Sequence, residues 1–191
     1  MTRHEIRHIQ ANDSLDELTS LIHRSFAHLG RLGLNCSSLG QSVEETRRRA
    51  RRGECFVALS HGQLVGTMTL MRPQLLSNCH WYRRHDVASL HQLAVDPSQQ
   101  GLGCGKALLE HARAWALDHA YCELALDTPA SATHLIAYYA SRGFRVVEEV
   151  QMLNRPYKSA VLSRTITRTR PHQSLWYSPH RMGHFGSLVR L

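Results

Sequence analysis

Between residues 100 and 106 the chain reads Gln100-Gly101-Leu102-Gly103-Cys104-Gly105-Lys106, with glycine at every second position. The residues before it, Val87 to Val95, form an apolar strand-like run that stops at Asp96-Pro97. The residues after it, Gly103 to His119, place Leu108, Ala112, Trp115 and Ala116 at helical spacing. A glycine-rich turn between a strand and a helix is a specific device. Glycine enters left-handed backbone freely and lets main-chain N–H groups crowd around an anion. The following helix adds unpaired amides and the positive end of its dipole. The stretch therefore reads as a pyrophosphate cradle built from main chain. Two common nucleotide loops are excluded by spacing. No Gly-Lys-Ser/Thr follows four spacers, as a Walker loop needs, and Lys106 or Ala107 fills the third glycine position of a Rossmann fingerprint.

The rest of the pattern surrounds this turn with short elements. Residues 4–10 suggest a first strand. Ser14-Leu15-Asp16-Glu17 and Ser42-Val43-Glu44-Glu45 are capping boxes, each opening a helix. The first helix carries Leu15, Leu18, Ile22, Phe26 and Leu29 on one stripe; the second is short and holds the arginine run 47–52, which reads as a solvated face. Cys55–Leu59 and Leu64–Met71 flank the turn His61-Gly62 as a hairpin. Residues 72–86 are polar and aperiodic. Further strands are expected at Cys122–Leu126, Phe144–Val147 and Ser159–Leu162, and a helix at Ser131–Arg142 closed by Gly143. The order β-α-α-β-β-β-α-β-α-β-β predicts an α/β (α+β) fold: a mixed, mostly antiparallel sheet of six to seven strands flanked by about four helices.

Charge divides the chain. The net charge is +8. Residues 155–191 hold seven Lys and Arg and no acid, so the remainder is almost neutral. Residues 1–166 are read as one domain and residues 167–191 as a basic C-terminal extension with little apolar period, tail-like or loosely packed. Nucleic acid is a partner only through residues 155–191, where Trp176, Tyr177 and Phe185 interleave with arginines. No apolar run reaches membrane-spanning length, and the start lacks the apolar region of a signal peptide, so a cytoplasmic, non-membrane protein is expected. The five cysteines are widely spaced without Cys-x-x-Cys and read as free thiols. The pairs His23/His27 and His180/His184 lack a companion Glu, so no metal is expected.

The glycine turn and its context resemble a known family. Gln100-x-x-Gly103-x-Gly105 is similar to the Arg/Gln-x-x-Gly-x-Gly/Ala signature of GNAT-type N-acetyltransferases. Leu93-Ala94-Val95-Asp96-Pro97 resembles the strand and turn before that signature, Ala107-Leu108-Leu109 the start of its helix, and Tyr138-Tyr139-Ala140-Ser141-Arg142-Gly143-Phe144 the family's Tyr-x-x-x-Gly-Phe helix end. The resemblance spans about residues 4–166 and implies a GNAT-like fold with acetyl-CoA as cosubstrate. It implies cofactor contacts from Leu93, Ala94 and Val95 on the strand and from Gln100, Gly101, Leu102, Gly103, Cys104, Gly105 and Lys106 in the turn.

Acetyl transfer to an amine needs three things: the amine loses a proton, the oxyanion is stabilised, and the thiolate is protonated as it leaves. The resemblance assigns the last role to Tyr139. Where the family often carries a glutamate base this chain has His91 and Gln92, which makes His91 the candidate base, directly or through water. Asp127 reads as a strand-end residue first and a carboxylate for catalysis second. Two departures stand out. Gln100 replaces the frequent arginine, and Ala132 replaces an asparagine seven residues before the tyrosine, a contact that Thr128 or Ser131 would have to supply. Acceptor contacts are expected from Asn35, Trp81 and Tyr82. The expected activity is transfer of acetyl from acetyl-CoA to a primary amine of a small molecule or protein, and the assembly that such a fold allows for is a homodimer. The alternatives are a CoA-holding module without turnover and a nucleic-acid- or ribosome-associated protein acting through the basic extension.

Overall fold

A computed structural model describes residues 4–34, 36–153 and 155–166. Seven strands form one sheet: β1 (Glu5–His8), β2 (Glu54–Ser60), β3 (Gln63–Met71), β4 (Val87–Val95), β5 (Glu123–Pro129), β6 (Arg145–Val150) and β7 (Ser159–Thr165). Their spatial order is β1-β2-β3-β4-β5-β7-β6. Every neighbouring pair is antiparallel except β4 and β5. The helices are α1 (Leu15–Arg31), α2 (Val43–Ala50), α3 (His80–Arg83), α4 (Cys104–Asp118) and α5 (Thr133–Ala140). The fold class is the expected one. The short α3 lies in the aperiodic stretch 72–86. It forms because the Glu148 carboxylate of β6 accepts from the amides of His80 and Trp81 at 3.1 and 2.9 Å, a long-range cap invisible to local pattern. The expected extension 167–191 lies outside the described residues.

The two capping boxes start their helices as read. Ser14 accepts from the Glu17 amide and Ser42 from the Glu45 amide. Of the first helical stripe, Leu18, Ile22 and Leu29 are buried. The arginines of α2 pair along their own helix: Arg47 with Glu44, Arg48 and Arg49 with Glu45. Those two guanidiniums hold the Glu45 carboxyl down at about 2.

The sheet separates two cores. On one face Met68, Leu70, Leu90, Leu124, Leu126 and Leu162 pack against Leu108, Ala112 and Trp115 of α4. On the other, Ala94 and Leu64 meet α1, and Val87, Ala125 and Val161 meet Tyr82 of α3. Strand β4 changes face along its length. Leu90 belongs to the α4 side, yet Ala94, four residues on, belongs to the α1 side. A bulge causes this. Thr67 is opposite Ala94 while Thr69 is opposite His91, so Gln92 and Leu93 together face Met68, and Gln92 takes φ +50°.

Candidate active site

The bulge coincides with a parting of the sheet. β4 pairs with β5 from Val87↔Glu123 to Leu90↔Leu126 and no further. Beyond that point β4 stays with β3, and β5 stays with β7 through Pro129↔Ser159. Two parallel strands thus open into a wedge, with His91–Val95 on one wall and Asp127–Pro129 on the other. The Asp96 amide donates to Val65 of β3 at 2.8 Å. Strand alternation then turns the amides of Leu93 and Val95 to the opposite edge, toward the wedge. These main-chain groups have no strand partner there, and a ligand with amides of its own can complete them.

At the mouth of the wedge stands the glycine turn. Gly101 and Gly103 have φ of +80° and +93°, with open space where a Cβ would stand. Gly103 is the N-cap of α4, and the first helical bond runs from the Ala107 amide to the Gly103 carbonyl at 2.9 Å. The amides from Gly103 to Lys106 therefore have no helical acceptor. At Gly105 a Cβ would lie 3.1 Å from the Tyr138 hydroxyl, so glycine lets α5 approach the first turn of α4. Lys106 is exposed beside this cradle, and Gln100, also exposed, donates to the Val95 carbonyl at 3.3 Å. Cys104 points inward, fully buried, and burial pushes its thiol up to about 11. It is a neutral space-filler. A pyrophosphate fits this donor set, and the parted strand edges fit an extended amide-bearing arm.

Tyr139 sits on α5 with its ring 5.2 Å from Tyr138 and 5.8 Å from Phe144. Burial and the neighbouring Tyr138 push its phenol above the ordinary range, so it keeps its proton at neutral pH and can donate it. Over Tyr138 lies the Arg142 guanidinium, 3.5 Å from the ring centre. Ala132 forms the N-cap of α5 without a side-chain bond.

The other face of the wedge is polar and built from side chains. His91 Nε2 accepts from Gln74 Nε2 at 3.0 Å and lies 2.9 Å from the Ser89 hydroxyl. Its ring is 5.4 Å from Tyr82. Burial lowers this imidazole to about 4, so it is neutral at pH 7 and a weak proton acceptor. Tyr82 is buried, and its hydroxyl donates to Asp127 at 3.0 Å. Arg155 pairs with the second oxygen of Asp127 and reaches Ser159 Oγ at 3.2 Å. The bulge itself is fixed from α2's side: Gln92 donates to Gln41 at 2.7 Å, and Arg49 donates to the same Gln41 oxygen at 3.0 Å.

The expected acceptor residues fall differently. Trp81 is half-buried against the cluster that holds Tyr82, Val87, Ala125 and Val161, with the Arg84 guanidinium 4.2 Å from its ring. Tyr82 belongs to the packed layer below the wedge. Asn35 lies outside the described residues. Residues that sequence reasoning did not single out now join the site: Gln74, Gln41 and Arg155 hold His91, Gln92 and Asp127 in place. Only Asp127 carried a signal, a lone acid ending an apolar strand. Among the described residues no group of three His, Cys, Asp or Glu could hold a metal ion, and no helix is long and apolar enough to cross a membrane.

The acetyltransferase (GNAT) family profile matches residues 18–144, more than half of the chain, and the protein belongs to that family. Solved structures share the fold. The ribosomal-protein-S18-alanine N-acetyltransferase from Escherichia coli superposes with a TM-score of 0.63 at 19% identity, covering 92% of this chain and 100% of its own. A GNAT family acetyltransferase from Elizabethkingia anophelis with acetyl-CoA bound gives 0.60 at 16% identity, over 85% and 97%. A Bacillus subtilis acetyltransferase in complex with CoA gives 0.60 at 19% identity, over 86% and 100%. No curated protein sequence matches the chain.

Proposed function

We propose that the protein moves an acetyl group from acetyl-CoA to a primary amine. The observation that carries this is the wedge between β4 and β5 opening beside four unpaired amides at the start of α4. In this reading the cradle from Gly101 to Lys106 holds the pyrophosphate, and the Leu93 and Val95 main chain holds the arm and polarises the thioester carbonyl. The amine nitrogen attacks the carbonyl carbon from the polar face. As the new C–N bond forms the C–S bond breaks, and Tyr139 delivers its proton to the leaving sulfur and recovers one from solvent.

The amine's own proton goes to water. His91 is the sequence candidate for this step, but a ring lowered to about 4 holds a proton poorly. We assign it instead to the neutral wall that orders the acceptor. The polar face offers hydroxyls, amides and a carboxylate already occupied by Arg155, so a neutral or acidic amine compound suits it better than a polyamine. A protein N-terminus is a second acceptor to test, because one structural relative acts on the alanine of a ribosomal protein.

The decisive experiment combines calorimetric titration with acetyl-CoA and a thiol-release assay over a panel of amines and N-terminal peptides. Saturable binding with turnover on one acceptor is the expected result. Absence of binding at millimolar acetyl-CoA removes the proposal. Tight binding with silence on every amine favours the CoA-holding module, a reading to which the missing asparagine at Ala132 lends support.

A further inference from the structure

Arg155 uses only part of its guanidinium on the protein. Nη1 pairs with the Asp127 carboxylate and reaches the Ser159 hydroxyl at 3.2 Å. Nε and Nη2 meet no acceptor among the described residues and are not sealed in. The side chain is 28% exposed, while Asp127 beneath it is only 4% exposed. A guanidinium is planar, so the edge formed by Nε and Nη2 lies opposite Nη1 and faces away from Asp127. Arg49, the guanidinium that fixes the bulge, differs: all its nitrogens are engaged, by Glu45, Gln41, Ser37 and Ser38. The place of Arg155 is also particular. Leu90↔Leu126 is the last pair between β4 and β5, so His91 and Asp127 are the first residues past the parting. Tyr82 links them from below, its ring near His91 and its hydroxyl on Asp127. Arg155 therefore stands over the point where the sheet opens, on the face away from the glycine turn. The charged groups acting on the His91 ring are one acid, Asp127, and two guanidiniums, Arg155 and Arg52, so this face has positive charge in excess.

We propose that Arg155 sets acceptor specificity: its open edge receives a carboxylate carried by the acceptor amine, which makes small amino acids the substrate class. This rests on the acetyl-transfer reading above and names the acceptor that reading leaves open. The chemistry is matched. Two parallel N–H donors fit the two oxygens of a carboxylate, and such charge-assisted pairs are the strong ones. Asp127 holds the fork by its far side and leaves the receiving edge clear. An amino acid whose amine has lost its proton carries one negative charge, against the positive excess of the face. A polyamine would add positive charge to it. Holding the acceptor by a group other than its amine also leaves the nitrogen lone pair free to attack.

The experiment uses the full chain, acetyl-CoA and paired acceptors: each of a panel of small amino acids against its own carboxamide, followed by CoA release. For the preferred side chain, kcat/KM of the acid is expected to exceed that of its amide by about 30-fold. Arg155→Lys keeps a positive charge against Asp127 and loses the planar fork. It should bring that ratio to within about threefold of unity, through a higher KM for the acid, with calorimetric affinity for acetyl-CoA unchanged. Arg155→Met combined with Asp127→Asn leaves no lone buried charge; it serves if lysine disturbs folding, and the ratio should fall in the same way. Equal use of acid and amide by the wild type overturns the proposal, as does a preference that survives in the variants. Turnover confined to peptides or to amines without a carboxylate overturns it too and leaves the acetyl-transfer reading standing. Silence on every amine, or failure of the wild-type chain to bind acetyl-CoA, overturns both, so the two failures are distinguishable.

Discussion

The two sides of the wedge are made of different materials. The α4 side is main chain: free amides from Gly103 to Lys106, strand edges at Leu93 and Val95, and glycines that leave space. The α1–α3 side is side chain: His91, Gln74, Ser89, Tyr82, Asp127 and Arg155, drawn from two strands, one helix and two loops. Main-chain sites need only the right backbone path, so they tolerate most side chains and demand glycine at a few positions. Side-chain sites need convergence of residues far apart in sequence, and each change of residue alters what they recognise.

The sharpest way to break the comparison is at Gly103. Gly103→Glu places a carboxylate among the cradle amides and forces a side chain into φ +93°. Acetyl-CoA affinity should fall by at least ~100-fold, about 3 kcal/mol, while far-ultraviolet circular dichroism stays native. Next comes the acid. Tyr139→Phe should lower kcat by ~100-fold and leave the calorimetric Kd for acetyl-CoA within about twofold, because in the proposed mechanism the hydroxyl acts on the leaving sulfur and not on the cradle. An equal loss in binding would make Tyr139 a packing residue.

The smallest effect concerns His91 and has a definite sign. Its imidazole is lowered to about 4 in the folded protein, so between that value and the ordinary 6.5 the unfolded chain binds more protons. His91 therefore favours folding fully above pH 6.5 and progressively less as pH falls toward 4. Urea midpoints at pH 7 and pH 5 should differ less in His91→Gln than in wild type. The rising limb of kcat/KM against pH should follow the acceptor amine when acceptors are exchanged, and show no step near 6.5 that this substitution removes.

Legibility in the sequence followed the same division. The cradle could be read because left-handed turns and close approaches leave glycines at Gly101, Gly103 and Gly105. The core of α4 could be read from the spacing of Leu108, Ala112 and Trp115. Two features could not. The bulge at Gln92 leaves no local mark, because its register is set by pairing with β3 and by Gln41 on another element. The cap of α3 comes from Glu148, 68 residues from His80. The polar face was missed for the same reason: Gln74 and Arg155 lie in loops with no periodicity, and only the folded chain brings them to His91 and Asp127.

Burial of cysteine has a practical consequence for the assay. Cys36, Cys55, Cys79 and Cys104 are all buried, and Cys122 alone is exposed. Burial pushes the Cys79 thiol up to about 12 and also raises those of Cys36, Cys55 and Cys104, so thiolate is scarce at all four. A colorimetric thiol reagent that follows CoA release should meet one fast protein equivalent, from Cys122, as a constant baseline. Replacing that residue with serine would give an enzyme whose optical signal comes from product alone.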